Sequence, residues 1–453
     1  DAAWRRLENG LGMPALLVTP ARALDDINPG AGRVPPNILN DMIRLLGADR
    51  VRTGLTARAE HTTSLAGLLR LRQGDLGAVP DAVLSPRREA EVTALLRLCA
   101  DAGIAIGTPP SDAVHVALDL SALNMLDGVD ALSGRVRAGG GLGVAALDGE
   151  LATRGLMLEG ASAEPAATVA SWAHSACGLS GIRLATPQGF ATVEDDPALA
   201  ALMAGFGVVT SATLAVRRRP PQTQPLAWRF ADFAAGLAAL REAARDGVML
   251  VHPQLSDERE TGVFASLEPD RSRLAALWAQ FRKPADGGAL LFAHMAHGDH
   301  ARFKPIAQRL GGRPAKPQTR MSVMALRAVL LERGAALDRV SSRAPWAKLP
   351  ALYATARAAL DVAMVEAAPR EGARGMVLAS LSEPQAHGAR LILTWIYARK
   401  LGDEAAQALA IRTRAQAAMA RQSDRLGDAA RRAIAGTLDP AGVVQPFQGA
   451  ALF

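Results

Sequence analysis

The chain has 453 residues, of which 49% are hydrophobic and 21% charged, a composition typical of globular proteins. This length allows more than one domain, because single hydrophobic cores stop growing at roughly 250–300 residues. The net charge of +7 is dispersed and aromatic residues make up only 4%, so we expect no nucleic-acid partner. No apolar run is long enough for a transmembrane segment.

The two cysteines and the N-terminal residues bear on the compartment. Cys99 and Cys177 show neither metal-ligand spacing nor a disulfide framework. The first residues lack the charged and then apolar pattern of an export signal. We therefore expect a reducing, cytoplasmic environment.

The first half of the chain changes character near residue 80. Residues 1–80 have apolar positions three and four apart, as in NILNDMIRLLGA and SLAGLLRLRQG, which predicts helices. From 81 to 219, short strands such as PDAVLSP and HVALDL alternate with helices such as REAEVTALLRLCADAG, which is expected to end at Gly103. This alternation predicts an α+β domain.

A proline-rich segment separates the second half. The PPQTQP segment at 220–225 predicts a domain boundary because proline lacks the backbone donor that helices and sheets need. Residues 220–437 read as an α/β domain with a helical C-terminal part: VMLVHPQ and ALLFAHM are predicted strands, and DRSRLAALWAQFRK is a predicted helix. Residues 438–453 form an extended tail.

The segment RVRAGGGLGVAALDGELATRGLMLEG, residues 135–160, contains a G-x-G-x-x-A match that begins at Gly141. This pattern occurs in dinucleotide-binding units when it follows a buried parallel strand. The preceding RVRAG instead alternates charged and apolar residues, which is typical of a half-exposed strand. We therefore favour a structural turn. The alternative, a nicotinamide-dependent dehydrogenase, predicts a parallel sheet around residues 135–160.

The segment HMAHGDH contains several residues of the types that bind metal ions. His294, His297 and His300 lie three residues apart, with Asp299 among them. A strand ALLFAHM followed by a turn at Gly298 would scatter these side chains. We therefore predict no metal site.

Several segments follow one another in a characteristic order through nearly the whole chain. They are HTTSLAGLLRLRQGDLGAVPDAVLSP, ALDLSALNMLDGVD, the glycine run, ATVASW, LATPQG, FGVVTSATLAV and the tail LDPAGVVQP. Their order resembles the FAD-linked oxidases of the vanillyl-alcohol oxidase type. Within that family, MALRAVLLERGAALDRVSSRAPW is similar to a cap-domain segment of the alkylglycerone-phosphate synthases.

The resemblance implies a two-subdomain FAD-binding fold with a cap domain, and FAD as the cofactor. It also implies that the tail at 438–453 returns to the FAD-binding part. Arg327 matches the arginine of the cap-domain motif and is the expected catalytic residue. The expected cofactor-binding residues are Gly139, Gly140, Thr168, Ala170, Ser171, Val208 and Val209.

The chain departs from the family pattern on the cofactor side. Where the family has T-x-G-G, this chain has Ala170 and Ser171, whose side chains crowd the close backbone approach that glycine permits. The family's glycine-rich pyrophosphate loop is absent between IAIG and HVALDL. Leu179-Ser180-Gly181-Ile182 replaces a longer loop that lines the flavin.

It departs on the substrate side as well. Ile392 stands where the synthases have a tyrosine, and Ala420-Arg421 stands where they have a histidine pair. Ala328 replaces the aspartate after Arg327. We therefore expect Arg327 to pair with a protein carboxylate, and the flavin groove to be filled by side chains such as Met157, Trp172 or Leu184.

These departures lead to two hypotheses. The first is a flavin-free pseudoenzyme or scaffold with a degenerate flavin site. The alternative is an active FAD-dependent oxidoreductase, or an alkylglycerone-phosphate-synthase-like enzyme, whose cofactor loops are missing from this sequence. The resemblance further suggests a small-molecule or lipid-like substrate, and a homodimer or another protein partner.

Overall fold

The structure is a computed structural model that describes residues 2–62, 64–108, 114–160, 167–174, 178–267, 288–317, 323–423 and 428–445. The chain divides into two compact units. The first, here called the mixed-sheet unit, comprises Pro20–Arg219, Gly402–Leu409 and Ser423–Phe453. The second, the antiparallel-sheet unit, comprises Asp1–Thr19, Pro220–Leu401 and Ala410–Gln422.

Helices occur along the whole described chain. They are α1 Ala2–Gly10, α2 Pro36–Leu46, α3 Leu55–Glu60, α4 Leu65–Gln73, α5 Glu89–Ala102, α6 Val144–Ala152, α7 Val169–Ala173, α8 Pro197–Met203, α9 Phe233–Arg245, α10 Glu258–Leu267, α11 His297–Arg309, α12 Arg327–Glu332, α13 Leu349–Glu366, α14 Glu404–Ser423 and α15 Asp428–Leu438.

The strands alternate with these helices. They are β1 Val51–Arg52, β2 Ala82–Leu84, β3 Ile106–Gly107, β4 Val116–Leu118, β5 Leu126–Asp130, β6 Arg135–Gly139, β7 Leu156–Leu158, β8 Leu179–Thr186, β9 Gly189–Val193, β10 Val208–Arg218, β11 Gln224–Phe230, β12 Val251–Ser256, β13 Ala289–Met295, β14 Arg313–Ala315, β15 Ala335–Pro345, β16 Met376–Gln385, β17 Gly388–Ala398 and β18 Val444–Gln445.

The mixed-sheet unit contains a small sheet with the strand order β1-β2-β4-β3-β18. Its central strands are parallel, and Ala82, Val83 and Leu84 of β2 are all fully buried, which explains the unbroken apolar run there. α5 ends at Gly103, whose φ of 65° lies in the left-handed region that glycine favours, as predicted. The tail contributes β18, which pairs in parallel with β3.

The second sheet of this unit has the order β5-β6-β10-β8-β9, and β7 also pairs with β10. Strand β6 buries Val136 and Ala138 and leaves the alternate positions half-buried, as its sequence predicts. β6 and β7 both pair antiparallel with β10, so the nicotinamide alternative, which requires a parallel sheet here, is wrong. Leu179-Ser180-Gly181-Ile182 forms the start of β8.

The antiparallel-sheet unit is built on a sheet with the order β14-β11-β13-β12-β16-β17-β15. α9 packs on β16, and α13 packs on β16 and β17. Leu337 and Met376 both pair with Ile396 in register, so the three side chains share one face. The predicted strands VMLVHPQ and ALLFAHM correspond to β12 and β13, whereas the predicted helix DRSRLAALWAQFRK lies outside the described residues.

The predicted turn at Gly298 is wrong. α11 begins at His297, directly after Ala296, and Gly298 lies in its first turn. The helix therefore starts within two residues of the end of β13, leaving no room for a separate turn.

The observed units and the predicted domains are divided differently near the N-terminus. Residues 1–19 belong to the antiparallel-sheet unit and residues 20–80 to the mixed-sheet unit, so the predicted segment 1–80 contributes to both. The remaining predicted limits, at 219 and 437, stay predictions. Among the described residues, none of the helices combines the length and hydrophobicity that a membrane span requires.

Candidate functional site

The glycine run that follows β6 lies where the backbone is closely packed. A Cβ atom on Gly140 would lie 2.4 Å from the Val209 oxygen, and one on Gly141 would lie 1.7 Å from the Leu120 oxygen. A Cβ atom on Gly139 would lie 2.2 Å from the Leu123 oxygen. Only glycine permits such an approach, so internal packing accounts for all three glycines without a cofactor.

The backbone donors of this run are used inside the protein. Gly139 N–H donates to the Met125 oxygen at 2.8 Å, and Gly140 N–H donates to the Thr210 oxygen at 2.7 Å. Gly141 N–H donates to the Leu123 oxygen at 2.9 Å. These amides therefore have no free N–H directed at a ligand.

The short helix α7 begins with a reciprocal cap. The Thr168 hydroxyl accepts from Ser171 N–H at 3.2 Å, and the Ser171 hydroxyl accepts from Thr168 N–H at 2.9 Å. Val169 N–H donates to the Leu142 oxygen and Ala170 N–H to the Gly140 oxygen, both at 2.8 Å. The N-terminal donors of α7, which in other helices bind anions, are therefore already satisfied.

These contacts bring most of the predicted cofactor residues together. Ala170 is bonded to Gly140 through its amide, and its Cβ lies 3.3 Å from the point where a Cβ on Gly140 would stand. Val208 and Val209 are buried in β10, and a Cβ on Gly140 would lie 2.4 Å from the Val209 oxygen. Met157, Trp172 and Leu184, the side chains expected to fill the groove, are buried.

Arg327 lies at the start of α12 in the antiparallel-sheet unit. Its Nη2 is 3.3 Å from Asp338 Oδ1, and its Nε donates to the Leu337 oxygen at 3.2 Å. Arg412 Nη1 lies 2.9 Å from the other oxygen of Asp338. Burial lowers the pKa of the Arg327 guanidinium, and Asp338 opposes that shift. Arg327 is thus paired with a protein carboxylate, as expected.

Comparison with known proteins shows what the chain is similar to. Residues 219–371 match the family model described as FAD linked oxidases, C-terminal domain. No curated protein matches the sequence significantly. A solved alkyldihydroxyacetonephosphate synthase has a similar fold, with a TM-score of 0.74 and 17% identity over 98% of this chain and 92% of that chain.

Two oxidising enzymes have similar folds. A 4-ethylphenol oxidase from Gulosibacter chungangensis gives a TM-score of 0.62 at 12% identity, covering 94% of this chain and 99% of that one. A p-cresol methylhydroxylase gives 0.61 at 14% identity, covering 95% and 97%. Residues 219–371 thus resemble the C-terminal domain of FAD-linked oxidases, and the fold of the whole chain is similar to the folds of these three enzymes. The cofactor that this resemblance implies is FAD.

The described cluster does not fit the pyrophosphate of FAD in the observed conformation. A pyrophosphate needs free N–H groups that approach without obstruction. The amides of residues 139–142 and 168–172 all donate within the protein. The position of the family's pyrophosphate loop, which we predict to be deleted, includes residues 109–113 and lies outside the described residues.

The substrate-side departure at Ile392 also has a defined place. Ile392 is half-buried on β17 and pairs with Ser341 on one side and Ser380 on the other. An aliphatic side chain at this position cannot donate or accept a proton. The catalytic role assigned to Arg327 therefore has no acid or base partner from residue 392 and stays a prediction.

One feature of the molecule was missed by sequence reasoning. A cavity of about 770 Å³ lies within the antiparallel-sheet unit, between α1, α10, α12 and the start of β16. Leu330, Met376 and Ile396 contribute apolar surface, and Arg259 and Gly262 line it from α10. Its walls come from segments far apart in the sequence, so no local motif could have indicated it.

Other reactive side chains form no second site within the described ranges. His294 lies on β13, whereas His297 and His300 lie on α11. No group of three or more His, Cys, Asp or Glu residues in the described part is arranged to hold a metal ion. Burial raises the pKa of the Cys99 thiol to about 12, which suppresses its reactivity, and Cys177 lies outside the described residues.

Proposed function

We propose that the protein is a flavin-free member of the FAD-linked oxidase family, a pseudoenzyme or scaffold that has retained the fold. One observation carries the proposal. The two segments expected to contact FAD use their backbone donors on each other, as in the Ala170 to Gly140 hydrogen bond of 2.8 Å. Opening them for a pyrophosphate would break these bonds and the α7 cap, which costs about 1 kcal/mol for each bond.

The substrate side supports the same proposal. Arg327 is held by Asp338, which also holds Arg412, so the guanidinium is not directed at a free anion. Ile392 offers no proton at the position of the expected tyrosine. At position 392 the chain therefore has no group that can transfer a proton. A small-molecule or lipid-like ligand, a homodimer or other protein partner and a cytoplasmic location form part of this proposal.

The experiment has two arms. The visible absorption spectrum of protein purified without added cofactor should lack a flavin band. FAD titration followed by flavin fluorescence quenching should then show no tight binding to the wild type or to the double variant Ala170→Gly with Ser171→Gly. A variant carrying Ala145→Gly and Ala146→Gly in α6, where both alanines are exposed, controls for the introduction of two adjacent glycines into a helix.

The second candidate is an active FAD-dependent enzyme. It is favoured by the family match over residues 219–371 and by a similar fold over 98% of the chain. A flavin band near one per chain in the purified protein would establish this candidate. Micromolar FAD binding gained by the Ala170 and Ser171 double variant, and not by the α6 control, would show that two side chains merely block an intact site.

A further inference from the structure

The exposed face of α13 carries no charged side chain between Lys348 and Glu366. The helix has 18 residues and is therefore about 27 Å long, at a rise of 1.5 Å per residue. One face of it packs on β16 and β17. Val362 and Val365 on the other face are 52% and 58% exposed. The exposed positions between the two charged ends are Pro350, Ala351, Ala354, Thr355, Ala358, Val362 and Val365.

Other surface helices of the same unit carry charges on their exposed faces. The exposed positions of α9 include Arg241 and Arg245, and those of α11 include Arg302, Lys304 and Arg309. A helix at a protein surface normally places polar side chains opposite its buried face. Since α13 is apolar on its exposed face as well, it has the composition of a helix that is covered on both sides. Contiguous exposed apolar surface of this kind is typical of an interaction site.

The order of side-chain sizes along this face indicates what covers it. Ala351 and Ala354 lie in the first half of the helix, and Val362 and Val365 lie in the second half, at equal distances from Ala358. If two such helices pack antiparallel about a two-fold axis at Ala358, Ala351 faces the partner's Val365, and Ala354 faces the partner's Val362. A parallel pair would place valine against valine and alanine against alanine. The face is therefore complementary in shape to itself in the antiparallel orientation.

The charges at the two ends favour the same orientation. Lys348 directly precedes α13 and Glu366 is its last residue, and both are exposed. In the antiparallel pair, Lys348 lies beside the partner's Glu366 at each end of the interface. Glu366 also has an exposed pair with Arg414 at 3.4 Å, but its side chain remains 57% exposed. The helix dipoles are also antiparallel in this pair, so that each positive end lies beside a negative one.

We propose that the exposed face of α13 is the docking surface for a second copy of this chain, with the two helices antiparallel about an axis near Ala358. The proposal rests on the homodimer that forms part of the proposed function, and it assigns the surface of that homodimer. One helix face is smaller than a standard interface of about 800 Å² per partner, so the association is weak. The oligomeric state and the flavin spectrum are measured separately, so the failure of either leaves the other standing.

Sedimentation velocity of the full chain at increasing concentrations, up to roughly 100 μM, tests the surface. The wild type should pass from monomer to dimer. Ala358→Glu places two carboxylates together at the axis and should raise the dissociation constant at least about 100-fold, because like charges repel strongly within an interface. Ala301→Glu, at an exposed position of α11, is the matched control and should dimerise as the wild type does.

A charge exchange tests the orientation. Lys348→Glu alone, or Glu366→Lys alone, brings like charges together at both ends of the antiparallel pair and should weaken dimerisation about three- to tenfold. The double variant restores opposite charges and should dimerise as the wild type does. Circular dichroism of each variant shows that a loss of dimer is not a loss of folding.

Three results would overturn the proposal. A wild type that stays monomeric at every concentration would mean that another kind of partner covers α13. A dimer that Ala358→Glu leaves unchanged would place the interface elsewhere. A double charge variant as weak as the single variants would refute the antiparallel pairing of Lys348 with the partner's Glu366.

Discussion

The two units contain glycines in opposite packing environments, one closely packed and one beside open space. In the mixed-sheet unit, a Cβ on Gly140 would lie 2.4 Å from the Val209 oxygen, so neighbouring backbone occupies the space that a side chain would need. In the antiparallel-sheet unit, a Cβ on Gly262 would have no heavy atom within 4 Å, and this glycine lines a cavity. A glycine run that resembles a nucleotide site can therefore be fully packed, while an isolated glycine can mark unfilled space.

Asp338, in the antiparallel-sheet unit, gives the largest predicted effect. Its carboxylate, 5% exposed, is the shared partner of Arg327 and Arg412. Asp338→Ala leaves both guanidinium groups without this counter-charge, so we expect a loss of about 3–5 kcal/mol in the free energy of unfolding. Urea denaturation measures it.

The exposed pair of Arg414 with Glu366 is the control for that measurement. Glu366 is 57% exposed, so Glu366→Ala should cost less than about 1 kcal/mol. If both substitutions cost the same, the Asp338 cluster is solvated and does not behave as a buried charge network.

The second prediction concerns His174, which ends α7 in the mixed-sheet unit. Burial lowers the pKa of His174 to about 4, below its ordinary value near 6.5. Between pH 4 and 6.5 the His174 side chain therefore binds a proton in the unfolded chain but not in the folded chain. The associated stability is fully present above pH 6.5, falls as the pH drops from 6.5 to 4, and amounts to about 3 kcal/mol.

Urea midpoints for the wild type and His174→Leu, measured between pH 4 and pH 7.5, isolate this term. The difference in unfolding free energy between the two proteins should change by about 3 kcal/mol across that range, with the wild type losing more on acidification. A parallel pH dependence for both proteins would mean that His174 is accessible to protons in the folded state.

The sequence predicted the fold better than it predicted the sites. The alternation in RVRAG and the stop at Gly103 follow from periodicity and backbone conformation, which are local properties. Thr168 and Ser171 resemble a degraded cofactor motif, but their reciprocal cap depends on which amides lie nearby in space. The cavity is still harder to predict from the sequence, because its lining residues Trp4, Val263 and Ile396 are far apart in the chain and come together only in the folded structure.

The third prediction places a methyl group in the packed region. Gly140→Ala forces a Cβ against the Val209 oxygen and the Ala170 side chain, so the strand or α7 must shift. We expect a loss of about 1–3 kcal/mol in unfolding free energy, as for other overpacked positions. Gly149→Ala has no such contact and serves as the control. A neutral Gly140→Ala would show that the region is loose enough to open for a ligand.

The smallest predicted effect comes from the same glycine-to-alanine substitution at Gly262 in the antiparallel-sheet unit. Gly262→Ala adds a methyl group to α10 where nothing lies within 4 Å, so no neighbour has to move. Alanine restricts the unfolded chain more than glycine does and is the better helix former, by roughly 0.5–1 kcal/mol. Thermal unfolding should therefore occur at a slightly higher temperature. A fall instead would mean that the wall of the cavity at Gly262 is closed in solution.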